Sequence, residues 1–216
     1  MPLPSHIRHA WRSQRVPLAL ALVLVLLLIL SPEEKTIGWI IKLVYVHVAL
    51  IWVGTTGYAL LFIVTVLSLF SSRRDCTYDL RIIHGLTFGI YAMGVLLSMA
   101  AATAAWGSVS WTEPLMQISL TTLALSLTSC FLQWGLNHRF TFLVNVFPGL
   151  YLFWATAANR YVLHPNHPIT EGTPLTMKLT FYCSAIIFLV SAIWIWHRFR
   201  PESDPPGQNR RNRNPE

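Results

Sequence analysis

The sequence predicts an all-α, polytopic membrane protein, a bundle of six transmembrane helices with both termini in the cytoplasm. The chain of 216 residues is 54% hydrophobic and only 12% charged, about half the charged fraction of a soluble domain. Apolar runs near or above about 18 residues recur along it and are continuous rather than alternating, as in membrane-spanning helices. The net charge of +7 comes from short flanks and loops, so it indicates membrane orientation rather than nucleic-acid binding.

Six apolar stretches define the predicted spans, which cover residues 16–31, 38–70, 82–105, 117–136, 140–158 and 178–197. The first follows three arginines, as in a signal peptide, but no small-residue cleavage site comes after it, so we expect it to be retained. The chain then divides into a basic N-terminus (1–15), a transmembrane domain (16–197) and a tail (198–216). We expect the tail to be disordered because it is rich in Pro, Asn and Arg.

The positions of Arg and Lys predict the orientation of the spans. Four basic residues lie outside when the N-terminus is inside: Lys35, Lys42, Arg160 and Lys178. Twelve lie in the cytoplasm: Arg8, Arg12, Arg15, Arg73, Arg74, Arg81, Arg139, Arg198, Arg200, Arg210, Arg211 and Arg213. This bias follows the positive-inside rule. It places the link 31–37, the loop 106–115 and the loop 159–177 on the outer face.

The second apolar run contains a histidine, His47, in the segment Tyr45-Val46-His47-Val48. A polar side chain in such a run is costly to bury unless it has a partner or a function. As one helix this run would reach about 50 Å, at about 1.5 Å per residue, whereas the hydrocarbon core is about 30 Å thick. Arg73 and Arg74 anchor its inner end. Counting back about 20 residues from them places His47 at or just beyond the outer edge of the core, level with the outer loops.

The outer loop 159–177 carries two further histidines, His164 and His167. Neutral imidazole is a good axial ligand for haem iron, and two imidazoles can fill both axial positions. His47 therefore faces a loop that offers two candidate partners for ligating one iron, His164 and His167. Arg160 is the candidate partner of the haem propionates, and Glu113 could accept a hydrogen bond from a ligating imidazole.

The outer loop between spans three and four offers aromatic surface for a porphyrin. It begins with Trp106 and Gly107 and reaches Trp111 four residues later. Trp52 and Tyr45, on the second span, could add to this surface. Together with two imidazoles, such a surface indicates a site for a flat, metal-bearing ligand such as haem.

The three cysteines, Cys76, Cys130 and Cys183, form neither a C-x-x-C pair nor the C-x-x-C-H motif of covalent haem attachment. Covalent haem, a thiol relay and a cysteine zinc site are therefore disfavoured. We expect any haem to be held non-covalently.

The segment Tyr45-Val46-His47-Val48, followed by Trp52, resembles the Y-I-H-V-P…W segment that opens the second span of CcmC-type cytochrome c maturation proteins. The six-span layout, the tryptophan-bearing outer loop and a second outer histidine, His164, are also similar to that family over roughly residues 40–196. The chain departs from the family motif W-G-x-x-W-x-W-D-x-R-L-T, because its middle tryptophans are lost or shifted and Leu115 stands where arginine is expected. Ala49 replaces the proline after the first histidine.

The resemblance implies that His47 and His164 ligate a transient b-type haem and that the Trp106 loop presents it for transfer. It also implies a carrier without turnover chemistry of its own, in the cell inner membrane, with its haem site facing the periplasm. The implied partners in cytochrome c biogenesis are an ABC-type maturation complex, a haem chaperone and a small accessory membrane subunit.

Other interpretations stay open. A cytochrome b-like electron-transfer subunit would hold haem between helix-borne ligands, and a haem-free structural subunit of an assembly or transport complex would need neither histidine. His47 could bond only to a neighbouring helix, and Arg160 could simply anchor the end of span five. Trp106 and Trp111 could belong to the interfacial aromatic belt, and the small residues of 99–105 could serve close helix packing.

Overall fold

The computed structural model describes residues 13–69, 76–135, 138–159 and 174–199. Within them the chain forms six helices and no strand, which confirms the all-helical prediction. The helices are α1 (Arg15–Leu30), α2 (Ile41–Leu69), α3 (Cys76–Trp106), α4 (Pro114–Gly135), α5 (His138–Ala158) and α6 (Leu175–Phe199). Each predicted span overlaps one of these helices.

Four helices are long and apolar enough to cross a membrane. They are α2, α3, α4 and α6, over Ile41–Ser68, Asp79–Trp106, Pro114–Gln133 and Leu175–Phe199. Over the residues whose side chains are described, α1 and α5 give shorter apolar helices, Arg15–Leu30 and Leu143–Ala158. By length and composition the described chain is therefore that of a multi-pass membrane protein. The six crossings and the side on which the termini lie stay predictions.

Local sequence explains where the helices on either side of the tryptophan loop end and begin. α3 ends at Trp106 because Gly107 adopts a φ of 79°, a left-handed conformation that glycine accepts without strain. The Gly107 N–H donates to the Thr103 carbonyl oxygen at 2.9 Å, as in a glycine C-cap. Pro114 begins α4, at a position where a backbone N–H would have no helical partner.

The start of α3 differs from the predicted span. The helix begins at Cys76, six residues before the predicted start at residue 82. Its first turns are polar but contain no glycine or proline, so they continue the helix beyond the apolar stretch. Hydropathy locates only the apolar part of such a helix.

Glycines bring α2 and α3, the most extensive helix pair, into close contact. A Cβ on Gly54 would lie 2.8 Å from the Tyr91 Cβ, and a Cβ on Gly94 would lie 3.0 Å from the Ile51 nitrogen. Residue 51 thus faces 94, and residue 54 faces 91, which is an antiparallel order. We call this contact the α2–α3 seam.

The remaining helices surround this pair. α6 packs on the other side of α2, where Tyr45, Ala49 and Phe181 form a small buried cluster. α4 packs between α3 and α5, α5 also reaches α2, and α1 lies against α6 without a buried residue. The bundle therefore has two ends. The Trp106 end carries the link 31–40 and the loop 107–113, and the Arg81 end carries the start of α3 and the end of α4.

Candidate functional site

His47 is half-buried on α2, six residues from its first residue, Ile41. Its Nδ1 lies 3.0 Å from the Leu43 carbonyl oxygen, and a carbonyl oxygen can only accept, so Nδ1 carries the proton. Nε2 then has a lone pair. A backbone carbonyl bonded to one imidazole nitrogen is the usual arrangement that orients a metal-ligating histidine.

The register of the seam fixes the level of His47 in the bundle. Because Gly54 faces Tyr91, moving seven residues towards the Trp106 end reaches His47 on α2 and Ser98 on α3. His47 also lies on the same stripe of α2 as Gly54, since seven residues are nearly two full turns. On the side of α3 that faces the seam, the residues near this level are small: Ser98, Ala101 and Ala102. His47 therefore faces a part of the seam without bulky side chains on α3.

The two tryptophans of the predicted site are surface residues at the Trp106 end. Trp106 is 61% exposed and Trp111 is 60% exposed. The loop between them is held by Val109, which packs against the main hydrophobic core. Trp106 lies eight residues beyond Ser98, so it stands about 12 Å, or two turns, further out than His47. An extended ligand could touch both levels.

Tyr45 and Trp52 do not share a surface with His47. Tyr45 is 1% exposed in the cluster with Phe181, and the Trp52 ring meets the Phe181 ring edge-on at 5.4 Å. Both lie on the α6 side of α2, opposite the seam. Glu113 precedes α4, and its carbonyl oxygen accepts a bond from the Gln117 N–H at 3.0 Å, so its backbone belongs to the helix start.

Three predicted site residues, Arg160, His164 and His167, lie outside the described residues. The helices before and after them are informative. A Cβ on Gly149 of α5 would lie 3.4 Å from Tyr58 of α2. Nine residues from this contact towards the Trp106 end lead to Ala49 on α2 and to Ala158, the last residue of antiparallel α5. The chain therefore leaves α5, after Ala158, close to the level of His47.

The structure also contains a polar cluster that the sequence analysis did not predict. His84 is 0% exposed, and Ser126, Asn145 and Gln133 are 0–2% exposed around it. His84 Nδ1 lies 2.7 Å from Asn145 Oδ1, and Nε2 lies 2.8 Å from the Ser126 hydroxyl oxygen. Gln133 Nε2 lies 2.6 Å from both Asn145 Oδ1 and His84 Nδ1. We call these four residues the His84 cluster.

A sequence signal for this cluster exists on α4. Polar residues recur there at alternating steps of three and four, along one stripe of the helix: Ser119, Thr122, Ser126, Ser129 and Gln133. Such a stripe indicates a polar interior face. The stripe alone does not identify His84 as its partner, because His84 lies on another helix.

The chemistry open to the two histidines differs. A Ser–His–Asn order through both ring nitrogens can activate a hydroxyl for nucleophilic attack, but the fully buried Ser126 cannot meet a substrate in this conformation. His84 also lies fourteen residues along α3 from Ser98, about 21 Å from the level of His47. The two imidazoles therefore cannot ligate one iron. Among the described residues no group of three or more His, Cys, Asp or Glu could hold a metal ion.

No protein-family model matches the chain, and no curated protein matches it. The resemblance to the CcmC-type family accordingly stays a prediction from the residues quoted above.

Proposed function

We propose that this protein binds b-type haem non-covalently at its Trp106 end and presents it for cytochrome c biogenesis. In this proposal all six helices cross the inner membrane, both termini are cytoplasmic, and the Trp106 end faces the periplasm. The protein acts as a carrier rather than an enzyme. Its partners are an ABC-type maturation complex, a haem chaperone and a small accessory membrane subunit.

His47 supplies the first axial ligand through Nε2, because its Nδ1 proton is engaged by Leu43. His164 supplies the second, with His167 as the substitute, and Arg160 pairs with the propionates. The exposed rings of Trp106 and Trp111, next to Gly107, cover the outer part of the porphyrin. Haem itself would contribute only the iron and the flat ring, since the carrier role needs no redox step of this chain.

One observation carries the proposal: three elements that bear the predicted ligands and rings meet at the same end of the bundle. α5 ends close to the level of His47, and α6 begins beside it, because Met177 packs against the cluster of Tyr45. His164 is six residues after Ala158, and six extended residues reach about 20 Å. The segment is therefore long enough to bring an imidazole to the outer part of the seam.

The described helices do not favour the cytochrome b-like alternative. That class holds haem between helix-borne ligands, whereas the other intramembrane histidine whose side chain the structure describes, His84, lies about 21 Å from the level of His47. No observation singles out the haem-free alternative either, so it is the outcome expected if haem fails to bind.

The test is a haem titration of the full-length protein in neutral detergent, followed through the Soret band. We expect saturable binding by the wild type and at least a tenfold weaker affinity, about 1.4 kcal/mol, for His47→Ala and for His164→Ala. His197→Ala is the matched control, because His197 is an exposed helix-borne histidine at the Arg81 end. Equal affinities for the wild type and the His47→Ala, His164→Ala double variant would refute the proposal.

A further inference from the structure

Two buried donors in and beside the His84 cluster have no acceptor. Asn145 Nδ2 is buried without a partner, whereas Asn145 Oδ1 lies 2.6 Å from Gln133 Nε2. Arg81 Nε, next to the cluster, is also buried without a partner. Buried polar groups are almost always paired. Both of these groups can only donate, so each of them lacks an acceptor.

Arg81 connects the cluster to the Arg81 end of the bundle. Its Nη2 donates to the carbonyl oxygen of Gln133 at 2.6 Å, in the last turns of α4, where carbonyl groups lack helical partners. Gln133 in turn contacts His84 and Asn145 through its side chain. Gln133 thus links the Arg81 guanidinium to the buried imidazole of His84. Nε of the same guanidinium has no hydrogen-bond partner.

The cationic group that reaches this region is Arg81, and none of the described buried residues there is Asp or Glu. Its Nε atom is buried, and a buried donor of a charged group is costly to leave without an acceptor. A metal cation does not fit, because Arg81 repels it and the neutral amides of Asn145 and Gln133 are weak ligands for it. An oxygen-bearing anion fits both the charge and the surplus of donors.

We propose that the Arg81 side of the His84 cluster is a binding site for an oxyanion, a phosphate or carboxylate group. Arg81 Nε and Asn145 Nδ2 donate to it, and the anion ties together α3, α4 and α5, to which these residues and Gln133 belong. The group comes either from the headgroup of an anionic lipid or from a small solute, which offer the same acceptor oxygens.

The test measures the thermal unfolding midpoint of the full-length protein in neutral detergent. Inorganic phosphate is compared with chloride at equal ionic strength, and micelles containing phosphatidylglycerol are compared with micelles containing phosphatidylcholine. We expect an anion-dependent rise of the midpoint by a few degrees, because a ligand that binds only the folded state stabilises it. A rise with both probes indicates a site open to solutes, and a rise with phosphatidylglycerol alone indicates a lipid headgroup.

Two variants decide the location. Arg81→Gln should abolish the anion-dependent rise, whereas Arg198→Gln should retain it, since Arg198 is an exposed arginine of α6 at the same end of the bundle. If Arg81→Gln folds poorly, Asn145→Asp replaces it, because an internal carboxylate beside His84 should make stability independent of added anion. No rise in the wild type, or equal loss in Arg81→Gln and Arg198→Gln, would overturn the proposal.

Discussion

His47 and His84 are each a single imidazole in an apolar helix, and their surroundings differ. His84 is fully buried, and both ring nitrogens bond to side chains on two other helices, Ser126 of α4 and Asn145 of α5. His47 is half-buried, and one ring nitrogen bonds to the backbone of its own helix, at Leu43. The imidazole of His84 joins three helices, whereas the bond of His47 leaves a lone pair on Nε2 that its own helix does not use.

The two histidines differ in their partners on other helices, which the local sequence around each of them does not reveal. Inside the bundle there is little water to replace a missing partner, so a ring with two partners stabilises the helix packing. A ring bonded only to its own helix adds little to packing. We propose that the partial burial of His47, which is costly, is offset by a function, the ligation of iron.

The largest expected effect separates the two histidines by stability. His84→Ala removes bonds between helices that are worth about 0.6–1.7 kcal/mol each in membrane bundles and leaves partners unsatisfied. We expect it to lower the free energy of unfolding by about 2–4 kcal/mol. His47→Ala loses one bond within a helix and should change this free energy by less than about 0.5 kcal/mol. Reversible unfolding in mixed detergent micelles measures both.

A double-mutant cycle sharpens this prediction. Because His84 contacts Asn145 directly, the effects of His84→Ala and Asn145→Ala should couple by at least about 0.5 kcal/mol. His47→Ala with Asn145→Ala should be additive, since His47 belongs to the other end of the bundle. Equal destabilisation by the two histidine variants would show that burial and partners do not distinguish them.

Much of the fold could be predicted from the sequence. Each predicted span overlaps a helix, because a continuous apolar run of this length has few alternatives to a helix. Hydropathy does not predict the polar start of α3, from Cys76, because a helix can extend beyond its apolar part. Helix neighbours could not be predicted, since the contacts of Gly54 and Gly94 are between residues that are distant in sequence.

The candidate site was predictable in part, for the same reason. Sequence spacing located His47, Trp106 and Trp111 near one end of the bundle, and the structure places all three there. It could not show that Tyr45 faces α6, because that depends on which helix packs on each side of α2. The His84 cluster needs three helices at once, so no single stretch of sequence displays it.

The second expected effect concerns the seam that sets the level of His47. Gly54→Ala places a Cβ 2.8 Å from the Tyr91 Cβ and 2.9 Å from its Cα, so the helices must separate, and overpacking costs about 1–3 kcal/mol. Gly89→Ala on α3 meets nothing within 4 Å and should be neutral or stabilising by up to about 1 kcal/mol. The unfolding free energies of both variants test this. Similar values for the two variants would mean that the seam is not closely packed. The helix register from which the level of His47 is derived would then be wrong.

The smallest expected effect is the acid sensitivity of the link 31–40. In the link 31–40, the Glu34 carboxylate accepts bonds from the N–H groups of Ile37, at 2.9 Å, and Thr36, at 2.7 Å. These bonds, that of Ile37 first, lower the pKa of Glu34. A carboxyl whose pKa is lowered on folding stabilises the fold above its ordinary pKa and loses that effect as the pH falls through the lowered value. The turn should therefore loosen only in acid, below about pH 4.

The carboxyl carbon of Glu34 and the amides of Thr36 and Ile37 report this loosening in an NMR titration, with Glu34→Gln as the control that removes the transition. The His84 cluster contains no carboxylate, so its resonances should not follow this transition. A Glu34 midpoint equal to that of an unstructured peptide would contradict the prediction.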